Sequence, residues 1–518
     1  MEYMIKSKYL VFPVNTLCSK KHLTFQKNEQ TVYSLDISLD LLTPTFYAYI
    51  DVSRFAGESL RICVEPEMEI RFTEADTLDI EGLYREPMRP QIHFTTKNGW
   101  MNDPNGLIYL DGIYHMFYQH NPADATWGNM HWGHAVSRDL IRWEEKDIAL
   151  FPDERGAMFS GSALLDEGNL LGLGDSENKA ALLYYTTTEP FCQHLSYSTN
   201  RFQTIHRYGN QPVVPHIAGD NRDPKVIFCD ELGCYILALY LEEDKYCLMR
   251  SSDLIHWETF QQFHLPGDNE CPDIFPLQTK TGERKWIIIG AHDKYLVGHF
   301  ASGKFEADQQ VMSLHYGTSA YAGQSFSNLP GDRRIRMEWD TWHLPTDTIC
   351  GQMGIPMELT LAKYADTYYL QANPIREVAM LYQNTNSCSA LMIAPDAIFQ
   401  LPLDSSAQLL KLHSAHPNTG KLTIAIFGIS MKLDFDKNEL QVGDCIAPIC
   451  VTGGDLDVTV IVDRCSIEVY ADGGKIFLSC LDRHTVSDYN LPYLSIRGTQ
   501  PLTLDSLEIH SLKSIWSN

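Results

Sequence analysis

The sequence predicts an all-β chain built around a five-bladed β-propeller, and three observations carry that expectation. The first is a weak repeat: SRDLIRW at Ser137 to Trp143 returns as SSDLIHW at Ser251 to Trp257, with STNRFQT at Ser198 to Thr204 between them. The mean step of about 57 residues is too long for a helical solenoid and suits a four-stranded blade with long loops. Residues Arg89 to Pro345 hold roughly four and a half such steps, and closure then favours five blades. The second is period-two alternation on both flanks, and the third is the scarcity of helical stretches.

Taken in order, residues 1–88 read as a small β-domain, with strands expected near Val32 to Leu39 and Phe46 to Val52. The prolines and charges of REPMRP, Arg85 to Pro90, suit a linker. The propeller is placed over 89–350, a connecting segment over 351–374, and a second all-β unit over 375–518. Its clearest strands are Leu456 to Val462 and Ser466 to Tyr470, followed by a turn at Asp472-Gly473-Gly474.

A chain of 518 residues is too long for one ordinary domain, and 44% hydrophobic residues can bury a substantial core. The formal net charge of −25 argues against nucleic acid and anionic membranes as partners. The apolar patch Tyr9 to Val14 lacks a following cleavage site, and no apolar run of about 18 residues appears. Thirteen cysteines without framework spacing suit a reducing compartment, so a cytoplasmic location is expected. No phosphate loop, dinucleotide fingerprint or paired C-x-x-C stands out, so no cofactor is expected. His131 and His134 raise the question of a metal, but three-residue spacing with Trp132 and Gly133 between suits a strand or turn better than a zinc helix. No metal is expected.

Chemistry is concentrated in three acids, each within two residues of a proline: Asp103 in WMNDPNG, Asp223 in NRDPKVIF and Glu270 in NECPDIFPL. Pro104 cannot donate to a sheet, so Asp103 is expected where a strand ends and a loop begins. Apolar runs after the other two, Val226 to Phe228 and Ile274 to Leu277, read as buried strands. Singly, each acid has a plainer reading: an Asx-turn for Asp103, an ion pair with Arg222 for Asp223, a solvated charge for Glu270. Recurrence of one local pattern favours a shared task. On the repeat, the spacings of Asp103, Asp223 and Glu270 are roughly two blades and one blade, and equivalent blade positions converge near a propeller's axis.

From about Arg89 to the C-terminus the chain resembles glycoside hydrolase family 32, the β-fructosidases that include invertases, levanases and exo-inulinases. The motifs WMNDPNG (Trp100 to Gly106), FSGS (Phe159 to Ser162), RDP (Arg222 to Pro224) and EC (Glu270 with Cys271) occur in the family's order. The resemblance implies a propeller followed by a C-terminal β-sandwich. It also implies that Asp103 is the nucleophile, Glu270 the acid/base and Asp223 the carboxylate that holds fructose hydroxyls. Asn102, Gln119, Trp127, Phe159, Ser160, Ser162 and Arg222 resemble sugar-contacting positions, and Tyr321, Trp339 and Trp342 are further aromatic platforms. Retention needs one ionised carboxylate and one protonated carboxyl, about 5–5.5 Å apart, with pKa values pushed apart by their surroundings. Glu270, beside Cys271 and Pro272, is expected to have the more apolar setting.

The chain departs from the family pattern at Ser319 and Ala320 before Tyr321, and at Glu338 and Asp340 around Trp339, changes expected to reshape the pocket rim. The function expected is release of terminal β-fructofuranosyl units from sucrose or fructans. A fructosyltransferase using the same intermediate and a non-catalytic fructan-binding propeller remain alternatives; a propeller hydrolase for arabinose or xylose is disfavoured by WMNDPNG and FSGS. Oligomeric state is not legible.

Overall fold

The computed structural model describes residues 2–341, 348–403, 407–415, 419–449, 455–481 and 493–516. Among them the only helical pieces are short 3₁₀ turns at Ser53–Phe55, Arg376–Leu381 and Asp472–Gly474; the architecture is all-β.

The N-terminal residues form two antiparallel sheets. One orders Glu2–Met4, Ser59–Glu65, Lys21–Lys27 and Gln30–Ile37; the other orders Phe46–Asp51, Tyr9–Val14 and Thr73–Ala75. Alternation does the work: in Tyr9–Val14 and Ser59–Glu65, Leu10, Phe12, Leu60 and Ile62 turn inward and are fully buried. The expected strands at Val32 and Phe46 are present. REPMRP is less open than a linker should be, because Arg89 is buried and donates to Thr95 Oγ1 and the Thr96 carbonyl, each at 2.8 Å.

Five sheets follow. Their first strands are Gly99–Leu110, Met158–Leu165, Arg222–Cys229, Asp273–Gln278 and Ala320–Ser325, and in each the next strands pair antiparallel outward. The first strands neighbour one another in cyclic order, and the fifth returns to the first. That return is sealed by Ser327 N donating to the Leu107 carbonyl (2.9 Å) and by Ile349–Cys350 pairing parallel to Gly99 and Trp100. The repeat strings fall at one place in successive sheets, the turn from third to fourth strand. Asp139 accepts from the backbone N–H of Ile141 and Arg142, Asp253 does the same for Ile255 and His256, and Asn200 accepts from Thr204. The indoles of Trp143 and Trp257 then close their turns on the carbonyls of Leu140 and Leu254. One correction concerns 351–374: Met357–Tyr364 and Thr367–Pro374 are strands of the fifth sheet, the first pairing with Arg334–Asp340, and do not form a connecting segment. Their alternation satisfies one more hydrophobic face than a linker could.

Two six-stranded antiparallel sheets complete the chain. One orders Tyr382–Ile393, Leu502–Leu512, Gln408–Ser414, Leu456–Val462, Ser466–Ala471 and Ile476–Leu481; the other orders Ile398–Pro402, Tyr493–Gly498, Lys421–Ile426, Ile429–Asp434, Glu439–Val442 and Cys445–Pro448. Leu410, Val460 and Leu478 of the first meet Ile424, Leu433 and Ile496 of the second in one dry core. The seam with the five sheets is largely apolar, with Leu409, Ile461 and Phe477 in one buried cluster with Ile355, Leu370 and Ile375, and it encloses a polar group. His93 Nδ1 lies 2.9 Å from Asp463 Oδ2 and its Nε2 3.1 Å from Glu468 Oε1, with all three side chains at most 1% exposed.

Candidate active site

Four of the five first strands carry a β-bulge, and the candidate residues lie in them. Register slips by one residue between Met101 and Pro104, between Met158 and Gly161, between Arg222 and Lys225, and between Tyr321 and Gln324. Asp103, Ser160 and Asp223 are thereby turned out of the ladder toward the ring's axis. Asp103 is accordingly within its strand, not at a strand end as Pro104 suggested; the bulge accommodates the proline that a regular ladder would exclude. Glu270 does precede its strand. Asp223 (φ 65°), Glu270 (φ 55°), Cys271 (φ 37°) and Ala322 (φ 55°) are left-handed, a conformation non-glycine residues hold only where the surroundings enforce it. The glycine of FSGS has a separate reason: a Cβ on Gly161 would lie 1.9 Å from the Tyr184 carbonyl oxygen.

The three acids share one residue. Cys271 Sγ is 3.5 Å from Asp103 Oδ2 and 3.4 Å from Asp223 Oδ2, and the Cys271 backbone N–H donates to Asp223 at 3.0 Å. Burial, then the three carboxylates, push the Cys271 thiol well above its ordinary value, so it stays a neutral donor. Asp103 accepts from Ser160 Oγ (2.6 Å) and from Asn102 Nδ2 (3.0 Å), and Asn102 is itself fixed by the Trp100 indole (2.7 Å). Burial raises the Asp103 pKa, the hydrogen bonds from Ser160 and Asn102 oppose it, and the charge of Glu270 adds to the rise. Asp223 is lifted to about 7 by burial, against Arg222 and with help from Asp103 and Glu270. Glu270 has the open setting, not the apolar one: its side chain is 28% exposed, with Oε1 held by Arg222 and Oε2 by the Tyr321 hydroxyl. Arg222 is steadied in turn by the Asp220 carbonyl (2.7 Å) and the Tyr240 ring, 4.7 Å away.

Of the other expected contacts, Trp127 is 56% exposed and meets Phe159 edge to face at 6.1 Å, at the approach to Ser160. Gln119 is buried and donates to the Met158 carbonyl (2.9 Å). Ser162 is not in the site: its hydroxyl donates to the Pro224 carbonyl (2.7 Å) and accepts from Val226 N, bracing the second sheet to the third. Trp339 lies behind the site, between Trp100 and Tyr321. Trp342 lies outside the described residues. Glu338 and Asp340 do not shape a rim: strand alternation turns them away from Trp339, to Arg336 and to Ser479 with Gln352, and both are buried. His131 and His134 fall on opposite faces of one strand, against Tyr33 (2.8 Å) and His115 (3.1 Å). Sequence reasoning missed Cys271 as a shared partner, Thr186 Oγ1 accepting from Asp223 N, and the Lys225–Asp273 ion pair (3.0 Å) beneath the trio. The apolar runs after each acid hid the last of these.

Residues 93–374 match the family model described as "Glycosyl hydrolases family 32 N-terminal domain". The chain belongs to this family. The family 32 chain is 30% identical over 506 residues to a levanase of Bacillus subtilis strain 168, covering 85% of this chain and 73% of that one. It is 29% identical to an invertase of Schizosaccharomyces pombe, covering 72% and 68%. Among solved structures, an exo-inulinase from Aspergillus awamori aligns with TM-score 0.74 at 23% identity. A β-fructofuranosidase from Schwanniomyces occidentalis complexed with fructosyl-erythritol aligns with TM-score 0.75 at 22%. Those two chains are covered completely by 84% and 85% of this one. The family 32 chain is thus a glycoside hydrolase with the β-propeller and β-sandwich architecture of these neighbours.

Proposed function

We propose that the protein is a retaining, exo-acting β-fructosidase that releases fructose from sucrose or from fructans such as inulin and levan. The observation that carries this reading is the convergence of Asp103, Asp223 and Glu270 around Cys271, each acid held by a different set of donors. Asp103 attacks the anomeric carbon, with Ser160 and Asn102 keeping it ionised and aimed. Glu270, open to solvent where a leaving group departs, protonates the glycosidic oxygen and later takes a proton from water. Asp223 and Arg222 bind the hydroxyls of the fructosyl ring, with Trp127 and Phe159 beside it. The names of the levanase, invertase and exo-inulinase relatives support this substrate class.

The five sheets closing in a ring support five blades, and the chain divides into 1–88, 89–374 and 375–518. The cytoplasmic reading rests on the scattered cysteine usage of the sequence.

The test is a product profile from sucrose, inulin and levan incubated separately, with NMR of the first-formed anomer. Fructose as sole early product, released with retained configuration, is expected. Longer oligosaccharides would make it a transferase or endo-enzyme, and no product from any of the three would sink the reading. Glu270→Gln is expected to lower kcat on sucrose by about 10²–10⁴-fold, and less on an aryl fructoside whose leaving group needs no proton. Equal loss on both would remove the acid role.

A further inference from the structure

The loop that carries Trp127 runs from Asn121 to His131; the five-sheet body holds it through Trp100 N–H to the Asp124 carbonyl (3.0 Å) and Met158 N–H to the Met130 carbonyl (2.9 Å), and the N-terminal sheets, which precede the family 32 match, add the ties nearest the indole. At its start, Ala123 belongs to the N-terminal core, and the Ser38 hydroxyl donates to Asp124 Oδ2 at 2.7 Å, both residues buried. At its end, Asn129 pairs reciprocally with the backbone of Asp36, donating to its carbonyl and accepting from its N–H at 2.7 Å each. His131 meets the Tyr33 hydroxyl at 2.8 Å. In the middle, Lys20 Nζ donates to the Trp127 carbonyl at 3.0 Å. The indole itself remains 56% exposed, touching Phe159 by its edge.

A half-exposed tryptophan on a nine-residue loop has no reason of its own to keep one orientation, since loops lose order unless their ends and tip are tied. Here the ties on Trp127 itself and on Asn129, from Lys20 and Asp36, come from the N-terminal unit. We infer that the N-terminal β-unit is a positioning domain: it presents the Trp127 face at the site's entrance and so sets sugar affinity, with Lys20 and Asn129 as positioning residues. This rests on the β-fructosidase reading. It gives these residues a role in KM and none in the bond-breaking step.

The test uses the full chain with sucrose and inulin as probes. Lys20→Met removes the tie to Trp127. Asn129→Gly removes both bonds to Asp36, together with the 3.0 Å bond from Asn129 Nδ2 to Asn121 Oδ1, while keeping the left-handed backbone (φ 48°) accessible; Lys20→Met is the variant that touches only the N-terminal tie. Each is expected to raise KM roughly three- to ten-fold with kcat within about two-fold, and Lys20→Arg to restore KM. Because both act through Trp127, neither should add to the KM effect of Trp127→Ala in the double variant. Unchanged KM in both variants, effects that multiply with that of Trp127→Ala, or a fall in kcat at constant KM would overturn the inference. A wild type that releases no fructose fails the hydrolase reading instead. The positioning role is then decided by hydrogen exchange of residues 122–130, which Asn129→Gly must accelerate and which, if unchanged, rejects it.

Discussion

Asp103→Asn is expected to lower kcat on every β-fructoside the protein cleaves by roughly four to six orders of magnitude, with KM moving less than about ten-fold. The amide cannot form the glycosyl ester through which retention proceeds, and no other described carboxylate occupies the same bulge to replace it. Folding should survive. Asn is nearly isosteric, Ser160 Oγ keeps an oxygen to donate to, and a carboxylate whose ionised form burial disfavours is removed. The melting temperature is therefore expected to be unchanged or slightly higher, as active-site acids trade stability for function. Steady-state kinetics with a melting curve on the same sample checks both halves. Retention of more than about 1% of wild-type kcat by a folded variant would be incompatible with nucleophilic attack by Asp103.

His93→Gln is expected to destabilise the chain by about 3–5 kcal/mol near pH 6, because it strips a buried imidazolium from between two buried carboxylates. Burial alone would depress the His93 pKa; hydrogen bonds to Asp463 and Glu468 overcome it and lift the value to about 10. A raised folded value means the stabilisation is complete below the ordinary 6.5 and is lost as pH climbs through about 10. Asp340, lifted to about 6 by burial and then by Glu468, works in the same sense at lower pH, its contribution fading from 3.8 upward through about 6. Asp463 is held below its usual range despite burial, chiefly by the His93 hydrogen bond, so its contribution is present above 3.8 and fails as pH falls. Wild-type melting temperature should accordingly decline between pH 6.5 and 10, and the variant should show a flatter alkaline slope. Parallel curves for the two proteins would show that the imidazolium adds nothing to the apolar packing of this seam.

How much of this could be read from the residues depends on distance along the chain. The turn strings at Ser137, Ser198 and Ser251 are local, with Asp or Asn side chains bonding nearby backbone, and they marked the same corner of three successive sheets. The motif strings around Asp103, Asp223 and Glu270 likewise located the acids. What the strings could not convey was the bulge, since Asn, Pro and Gly inside a strand carry the same composition as a turn. Face was equally hidden: nothing local says whether Trp339 or its neighbours Glu338 and Asp340 look toward the sugar. Partners far apart in sequence were out of reach altogether, as with His93 and Asp463, or Asp103 and Cys271. The strands at 357–374 were legible in principle, because the pattern of MELTLAKY alternates as plainly as the segments that were read as strands.

The bulges also bear on which changes to the motifs the chain can absorb. Each inserts one residue that the partner strand does not match, so it exchanges inner and outer faces for everything beyond it. A substitution within Asn102–Asn105 or Arg222–Lys225 alters one side chain. Deleting a residue there removes the exchange, and Ile108 or Val226 would leave the inter-sheet core it now fills for the opposite face of its strand, where Leu107 or Ile227 now packs. The lengths of these motifs are thus under a stricter physical constraint than their letters.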